Sequence, residues 1–360
     1  MFRLADIDLA PEEIATLAGL VHVNRADTGW TRRRCGRGLS YRNTSGKTLR
    51  GADRRRAESL AIPPAWTDVW ICPSPDGHLQ AAGMDDAGRW QYLYHTDFRA
   101  EAERLKYLRL GPFGLALEVL RRTVAKDLLR DRGSRRRMCA GAVRLIDIGL
   151  IRVGSDSPED PEDAVGATTL PPDCVTVDLD DGTVELAYNG KGGKQQHCVL
   201  EDPPLAHVVA EGQQTASDRL FVYREGDELL AVTAEKVNRY LADITGEPFT
   251  AKDFRTWGGS VVVAEHLARS GPPVSDDEAE MVLLEGVDRA ADKLGNTRAV
   301  ARASYVSPIV TDAYRDGTLQ DTWSGTRSGK WAARAERVVT RLHASVEAAT
   351  GSVRLARRVG

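Results

Sequence analysis

Six residues of this 360-residue chain have side chains suited to handling an anion or a hydroxyl group: Arg152, Lys191, Lys252, Arg255, Asn296 and Tyr305. Each stands at or near the end of an expected element. Arg152 comes just before Val153-Gly154, where a helical pattern over 137–152 stops, and Lys191 sits in the turn Gly190-Lys191-Gly192-Gly193-Lys194. Thr250 followed three residues on by Asp253 reads as a capping box, which puts Lys252 and Arg255 near the positive end of a helix, where phosphate is favoured. Gly295-Asn296-Thr297 opens a further helix, and Tyr305 follows nine residues after Asn296 in Ala303-Ser304-Tyr305-Val306-Ser307-Pro308. Other chemistries find no foothold. There is no Gly-x-x-x-x-Gly-Lys-Thr/Ser loop, no His-Glu-x-x-His pair and no Gly-x-Ser-x-Gly elbow, so no nucleotide, metal or serine-hydrolase site announces itself. Taken singly, each residue has an ordinary explanation: an arginine at a helix end partners the dipole, a lysine tips a hairpin, and a tyrosine packs half-buried.

The elements that must position these groups fall into two regions. Pro11 to Leu20 has helical spacing, and from there to about residue 99 short mixed segments are punctuated by Gly, Pro and Asp. From 100 onward, apolar residues recur three and four apart over 100–110, 114–130 and 137–152, then over 233–244, 251–268 and 330–349. The helical series is interrupted by alternating segments at 174–179, 183–188 and 197–200, joined by Asp181-Gly182 and the Gly-rich turn. These predict a three-stranded antiparallel meander. The fold class is therefore α+β: a small amino-terminal α+β domain with an antiparallel sheet, residues 1–99, and a mainly α-helical domain with a small three-stranded antiparallel sheet, residues 100–360.

Charge is uneven although the formal net is only −3. Arg25 to Arg56 holds eleven basic residues against two acidic ones, Arg99 to Arg137 twelve against five, and Asp156 to Glu185 ten acids with no Lys or Arg. Basic segments offset by an acidic one suit a protein that wraps phosphate on one side. Five cysteines at widely separated positions fit neither a disulfide framework nor a zinc site. Apolar runs are too short for a membrane span and no signal-peptide pattern opens the chain, so a soluble intracellular protein is expected.

The order and spacing of these motifs resemble the type IB DNA topoisomerases of the poxvirus and bacterial kind and, more distantly, the tyrosine recombinases. Ile151-Arg152-Val153-Gly154, Val165-Gly166-Ala167-Thr168-Thr169-Leu170, Gly190-Lys191-Gly192, Lys252-Asp253-Phe254-Arg255-Thr256-Trp257-Gly258 and Leu294-Gly295-Asn296-Thr297 through Tyr305 occur in family order. In the amino-terminal region, 60–70 and Arg89-Trp90-Gln91-Tyr92-Leu93-Tyr94-His95 look like the family's DNA-clamping domain. The resemblance implies Tyr305 as nucleophile, Arg152 and Arg255 on the scissile phosphate, Lys191 as general acid and Lys252 near the leaving group. Asn296 stands where poxvirus members carry a phosphate-bonding histidine. It also implies DNA contacts from Arg89, Gln91, Tyr92 and Tyr94, with double-stranded DNA as partner and a monomer acting on chromosomal DNA in the cytoplasm without metal, cofactor or nucleotide. A recombinase is the alternative, but it would show His-x-x-Arg where this chain has Lys252-Asp253-Phe254-Arg255. A non-catalytic architectural DNA-binding protein on the same fold is the other alternative, supported only by Asn296.

The implied reaction explains the residue types. Phenol attack on a phosphodiester builds negative charge on the phosphoryl oxygens and expels an alkoxide. Arginine's permanently charged fork suits the first problem and a titratable lysine the second. A phenol ionises at about pH 10, and guanidinium neighbours favour its anion.

Overall fold

The computed structural model describes residues 9–36, 38–155, 165–190 and 193–358, with 347–358 as backbone alone. Packing divides the chain into two compact units, Asp6–Lys106 and the residues from Tyr107 onward.

The first unit is built on α1 (Pro11–Leu17), β1 (Trp30–Cys35), β2 (Gly38–Arg42), α2 (Gly51–Ser59), β3 (Thr67–Ile71), β4 (Leu79–Met84) and β5 (Trp90–Tyr94). The unit boundary falls inside α3 (Thr96–Leu108). The strands form an antiparallel sheet in the order β2-β1-β3-β4-β5. Strand alternation explains how it is filled: Val69 and Ile71 join Trp30, Tyr41, Ala57 and Ala81 in one cluster, while Trp70 and Cys72 join Leu79 and Ala82 in another. Two arginines of the basic segment are structural. Arg32 donates to the carbonyls of Ile62 (2.8 Å), Pro63 (2.8 Å) and Trp66 (2.7 Å). Arg56 holds the carbonyls of Cys72 (2.8 Å) and Ser74 (2.9 Å) together with Gln80 Oε1 (2.7 Å). Arg33, Arg34, Arg42, Lys47, Arg50, Arg54 and Arg55 are exposed.

The second unit comprises α4 (Leu110–Asp127), α5 (Arg135–Gly149), the sheet β6 (Val175–Asp178), β7 (Thr183–Asn189) and β8 (Gln195–Glu201), α6 (Pro203–Gln213), and the hairpin β9 (Val222–Glu225) and β10 (Glu228–Ala231). There follow α7 (Ala234–Thr245), α8 (Ala251–Ser270), α9 (Asp276–Leu294), α10 (Arg298–Tyr305), α11 (Pro308–Arg315), α12 (Thr318–Ser324) and α13 (Arg334–Arg358). The expected meander is present, antiparallel in the order β6-β7-β8, with Val175 opposite Leu186 and Thr183 opposite Glu201. The helical pattern expected over 137–152 stops earlier, at Gly149, because Leu150 turns left-handed at φ 51° and ends the ladder. Arg152 therefore lies beyond the helix, in irregular chain. Helices α6, α9, α11 and α12 and the hairpin β9–β10 are additions to the expected set.

Most of the charge in 99–137 is spent internally. Arg121 pairs with Asp147 (2.8 Å) and Glu336 (2.7 Å), Arg137 with Glu211 (2.9 Å), Arg109 with Asp253 (3.3 Å), and Arg130 and Arg136 with Asp127. The expected phosphate-wrapping surface is therefore smaller than the local count suggests. Of the acidic span, 156–164 lies outside the described residues.

Candidate active site

Arg255 is the centre of the arrangement. It projects from the second turn of α8, whose start is fixed as expected: Asp253 accepts from the Thr250 amide at 2.7 Å, and Arg109 steadies the same carboxylate. Arg255 is only 4% exposed. Its Nη1 donates to the carbonyl of Leu150, the C-cap of α5, and its Nη2 donates to the carbonyl of Leu294, the last residue of α9, at 3.0 Å. Both acceptors are helix-terminal carbonyls that lack an intrahelical partner, so two negative helix ends converge on one guanidinium. They orient it without neutralising it. Burial pulls its pKa down from the usual arginine value, opposed by the phenol of Tyr305. Its Nε, buried, has no hydrogen-bond partner.

Tyr305, half-buried, is the last residue of α10, and the Arg255 guanidinium carbon lies 5.0 Å from the centroid of its ring. The approach of α10 to α8 requires a glycine: a Cβ on Gly259 would stand 2.6 Å from the Tyr305 carbonyl oxygen and 2.9 Å from its Cβ.

Arg152 reaches the same place from the chain after α5, where its Nη2 donates to Asn296 Oδ1 at 2.9 Å. Its backbone is held by the 165–170 segment, with Ala167 N to Arg152 O at 2.8 Å and Thr168 N to Val153 O at 2.7 Å. A Cβ on Gly166 would meet the Arg152 carbonyl at 2.5 Å, so this approach also needs glycine. Asn296 is 9% exposed and its amide nitrogen, buried, is unpartnered. The structure thus leaves two buried N–H donors without partners: Nε of Arg255, whose guanidinium lies against the Tyr305 ring, and Nδ2 of Asn296, whose Oδ1 holds Arg152. Neither Arg152 nor Arg255 faces a carboxylate among the described residues.

The remaining expected residues are placed less centrally. Lys252 is exposed one turn before Arg255, with no described contact to the cluster. Lys191 lies outside the described residues. In the first unit, Arg89 and Gln91 both bond the carboxylate of Asp85, at 3.2 and 2.9 Å, and the hydrogen bonds that Asp85 accepts hold its carboxyl below the usual range. Tyr92 and Tyr94 point to the opposite face of β5, 41% and 40% exposed, with ring centroids 6.2 Å apart. Gln91 therefore lies on one face of β5 and Tyr92 and Tyr94 on the other, with Arg89 just before the strand.

Sequence reasoning missed two neighbours of these residues. Lys194, at the far end of the Gly-rich turn, donates from Nζ to the Asn296 carbonyl at 3.1 Å and links the β7–β8 hairpin to the start of α10. Tyr188 lines a cavity of about 250 Å³ with Arg152, Arg255, Gln196 and Leu294. Burial pushes its phenol up, while the Arg255 and Arg152 charges pull it back. Strand alternation carried the signal, since Val184, Leu186 and Tyr188 share the inner face of β7.

Residues 95–314 match the family model of the eukaryotic DNA topoisomerase I catalytic core, and residues 38–85 match that of the bacterial DNA topoisomerase IB N-terminal domain. The chain is also 26% identical over 272 residues to DNA topoisomerase 1B of Acanthamoeba polyphaga mimivirus, covering 73% of this chain and 80% of that protein. With more than half of its length matched by the catalytic-core model, and with Arg152 bonded to Asn296 and Arg255 set over the ring of Tyr305, the chain belongs to the type IB DNA topoisomerase family.

Proposed function

We propose that Tyr305 attacks a phosphodiester of duplex DNA held by Arg152, Arg255 and Asn296. The phenolic oxygen forms a bond to phosphorus and the bond to the 5′ oxygen breaks, leaving a 3′-phosphotyrosyl link and a free 5′ hydroxyl. Arg152 and Arg255 stabilise the charge that grows on the non-bridging oxygens, where fixed donors are most effective because they need no reorganisation. Asn296 adds a neutral N–H to an oxygen, which supplies a hydrogen bond without the full charge of an imidazolium. Lys191 protonates the leaving 5′ oxygen, and Lys252, from the helix start, adds positive charge beside it. Because the covalent link conserves the bond energy, resealing after strand rotation draws on no ATP, and torsional strain drives the net relaxation.

The observation that carries this reading is Arg255: a buried guanidinium oriented by two helix-terminal carbonyls, lying over a tyrosine ring and opposed by no described carboxylate. Such a site favours an incoming anion. The amino-terminal unit, with Tyr92 and Tyr94 displayed on one face of β5, Gln91 on the other and Arg89 just before the strand, acts as the DNA-clamping domain for a monomeric enzyme on chromosomal DNA in the cytoplasm. Phosphate contacts make binding weaken steeply with salt. Incubation with supercoiled plasmid in EDTA tests the reading: the wild type relaxes it and Tyr305→Phe does not. Full relaxation by Tyr305→Phe would remove Tyr305 from the mechanism.

A further inference from the structure

Tyr305 ends α10, so its carbonyl is one of the helix-terminal acceptors left without an intrahelical donor. The group that meets it is Ser260 Oγ, 3.2 Å away on α8, five residues after Arg255. The same hydroxyl oxygen accepts from the Ser307 amide at 3.0 Å, and its single hydrogen is shared between the Tyr305 carbonyl and the Thr256 carbonyl at 2.9 Å. Ser307 Oγ lies 2.9 Å from His343 Nε2 on α13, and His343 Nδ1 lies 2.8 Å from the Val339 carbonyl. The carbonyl needs a donor, so Nδ1 carries the proton, Nε2 is bare, and the Ser307 hydroxyl donates to it. The directions are consistent along the chain.

Ser260 and Ser307 are 0% exposed and His343 is 1% exposed. Three polar groups so deep in a core are unfavourable unless each is satisfied, and together they stabilise one geometry and no other. What they fix is the backbone on both sides of Val306, where the chain leaves α10 in extended conformation. Helix α8 thus grips Tyr305 at three points: Arg255 over the ring, Gly259 beneath Cβ, and Ser260 at the carbonyl.

We infer that Ser260, Ser307 and His343 form a positioning chain that sets the nucleophile's backbone relative to Arg255, tying the geometry of cleavage to α13. The inference rests on the reading of Tyr305 as nucleophile. None of the three touches the reacting atoms. They act through Tyr305, so their loss should slow the chemical step while DNA affinity is kept, because a displacement of about 1 Å at a reacting group is enough to slow chemistry by 10²-fold.

The test measures single-turnover cleavage at saturating DNA, DNA affinity and the thermal midpoint for Ser260→Ala, Ser307→Ala, His343→Leu, His343→Gln and the double variant Ser307→Ala/His343→Leu. Expected is a cleavage rate about tenfold lower in Ser260→Ala, Ser307→Ala and His343→Leu, with affinity unchanged. The double variant should be no slower than the slower single one, since both cut one chain. His343→Gln should return to within about threefold of wild type, because its amide oxygen accepts the same Ser307 hydrogen. Should His343→Leu fail to fold, the two serine variants decide. Wild-type cleavage rates in Ser260→Ala and Ser307→Ala, or a rate loss that follows the thermal midpoint with no rescue by glutamine, would overturn the inference while a wild-type adduct at Tyr305 kept the nucleophile in place. If the wild type forms no adduct at Tyr305, the nucleophile assignment and the inference fall together.

Discussion

Arg121 and Arg255 are both guanidinium groups set among the helices of the second unit, and they are handled in opposite ways. Arg121, on α4, faces Asp147 on α5 and Glu336 on α13, each through paired hydrogen bonds of 2.7–2.8 Å. Burial works against its charge, but the bonds to Glu336 and Asp147 outweigh burial and raise its pKa. Arg255 meets carbonyls and a tyrosine, and burial lowers its pKa. The first arginine is neutralised and ties three helices. The second is oriented but left uncompensated, and an uncompensated buried cation is what an anionic substrate requires. The contrast teaches that an arginine's use is decided by its partners and not by its burial.

The comparison breaks most sharply at Arg255. Replacing it with alanine should slow strand cleavage by about 10³-fold, measured under single turnover, because a donor fixed on the developing charge is lost. Its thermal midpoint should move less than that of Arg121→Met. Arg121→Met should show the reverse pattern. Asp147 would keep only Arg144, at 3.5 Å, and Glu336 only the Ala333 amide and Trp257 Nε1, at a loss of about 3 kcal/mol of stability by chemical denaturation, while cleavage by the folded protein stays at the wild-type rate.

Acid sharpens the comparison through a group buried in its neutral form. Burial lowers the His343 pKa to about 4 from 6.5, so the unfolded chain binds the proton more readily than the folded one. The stabilisation is fully present above pH 6.5 and is lost as pH falls toward 4, by about 1.4 kcal/mol per pH unit. Denaturation curves across that window should be correspondingly flatter for His343→Gln than for wild type.

The smallest effect belongs to Asn296. Asn296→Ala removes the acceptor that steadies Arg152 and the unpartnered donor, and should slow cleavage by about tenfold. Asn296→His should retain activity and gain rate as pH falls below about 6.5, where an imidazole takes up charge. A pH-independent rate in Asn296→His would mean that this position does not face the phosphate.

The sequence makes Arg255 and Tyr305 legible because their settings are local: a capping box fixes the start of α8, Gly295 ends α9 and Thr297 caps the start of α10. The three-stranded meander is legible for the same reason, through alternation and turn residues. The fate of the basic segment 99–137 is not, because Asp147, Glu211, Asp253 and Glu336, which absorb its charge, lie far along the chain and only folding brings them near. Nor is the chain Ser260–Ser307–His343, whose members are 47 and 36 residues apart and share no pattern. Helix α9 stands between these cases. Ser275 caps it and Ala279, Leu283, Val287 and Leu294 recur on its buried side, a signal present in the sequence but outweighed by its run of acids. The resemblance implies DNA contacts from both Gln91 and Tyr92, and the period of a strand puts them on opposite faces.

The most direct test of the central claim is to trap the covalent intermediate. A duplex oligonucleotide whose cleaved strand loses its short 5′-hydroxyl fragment is mixed with the wild type, quenched in denaturant and digested. The account predicts one DNA-bearing peptide, linked through the Tyr305 phenolic oxygen to a 3′ phosphate, and its absence from Arg255→Ala on the same time scale. An adduct at Tyr188 or at any other residue, or cleavage with no covalent link at all, would contradict it.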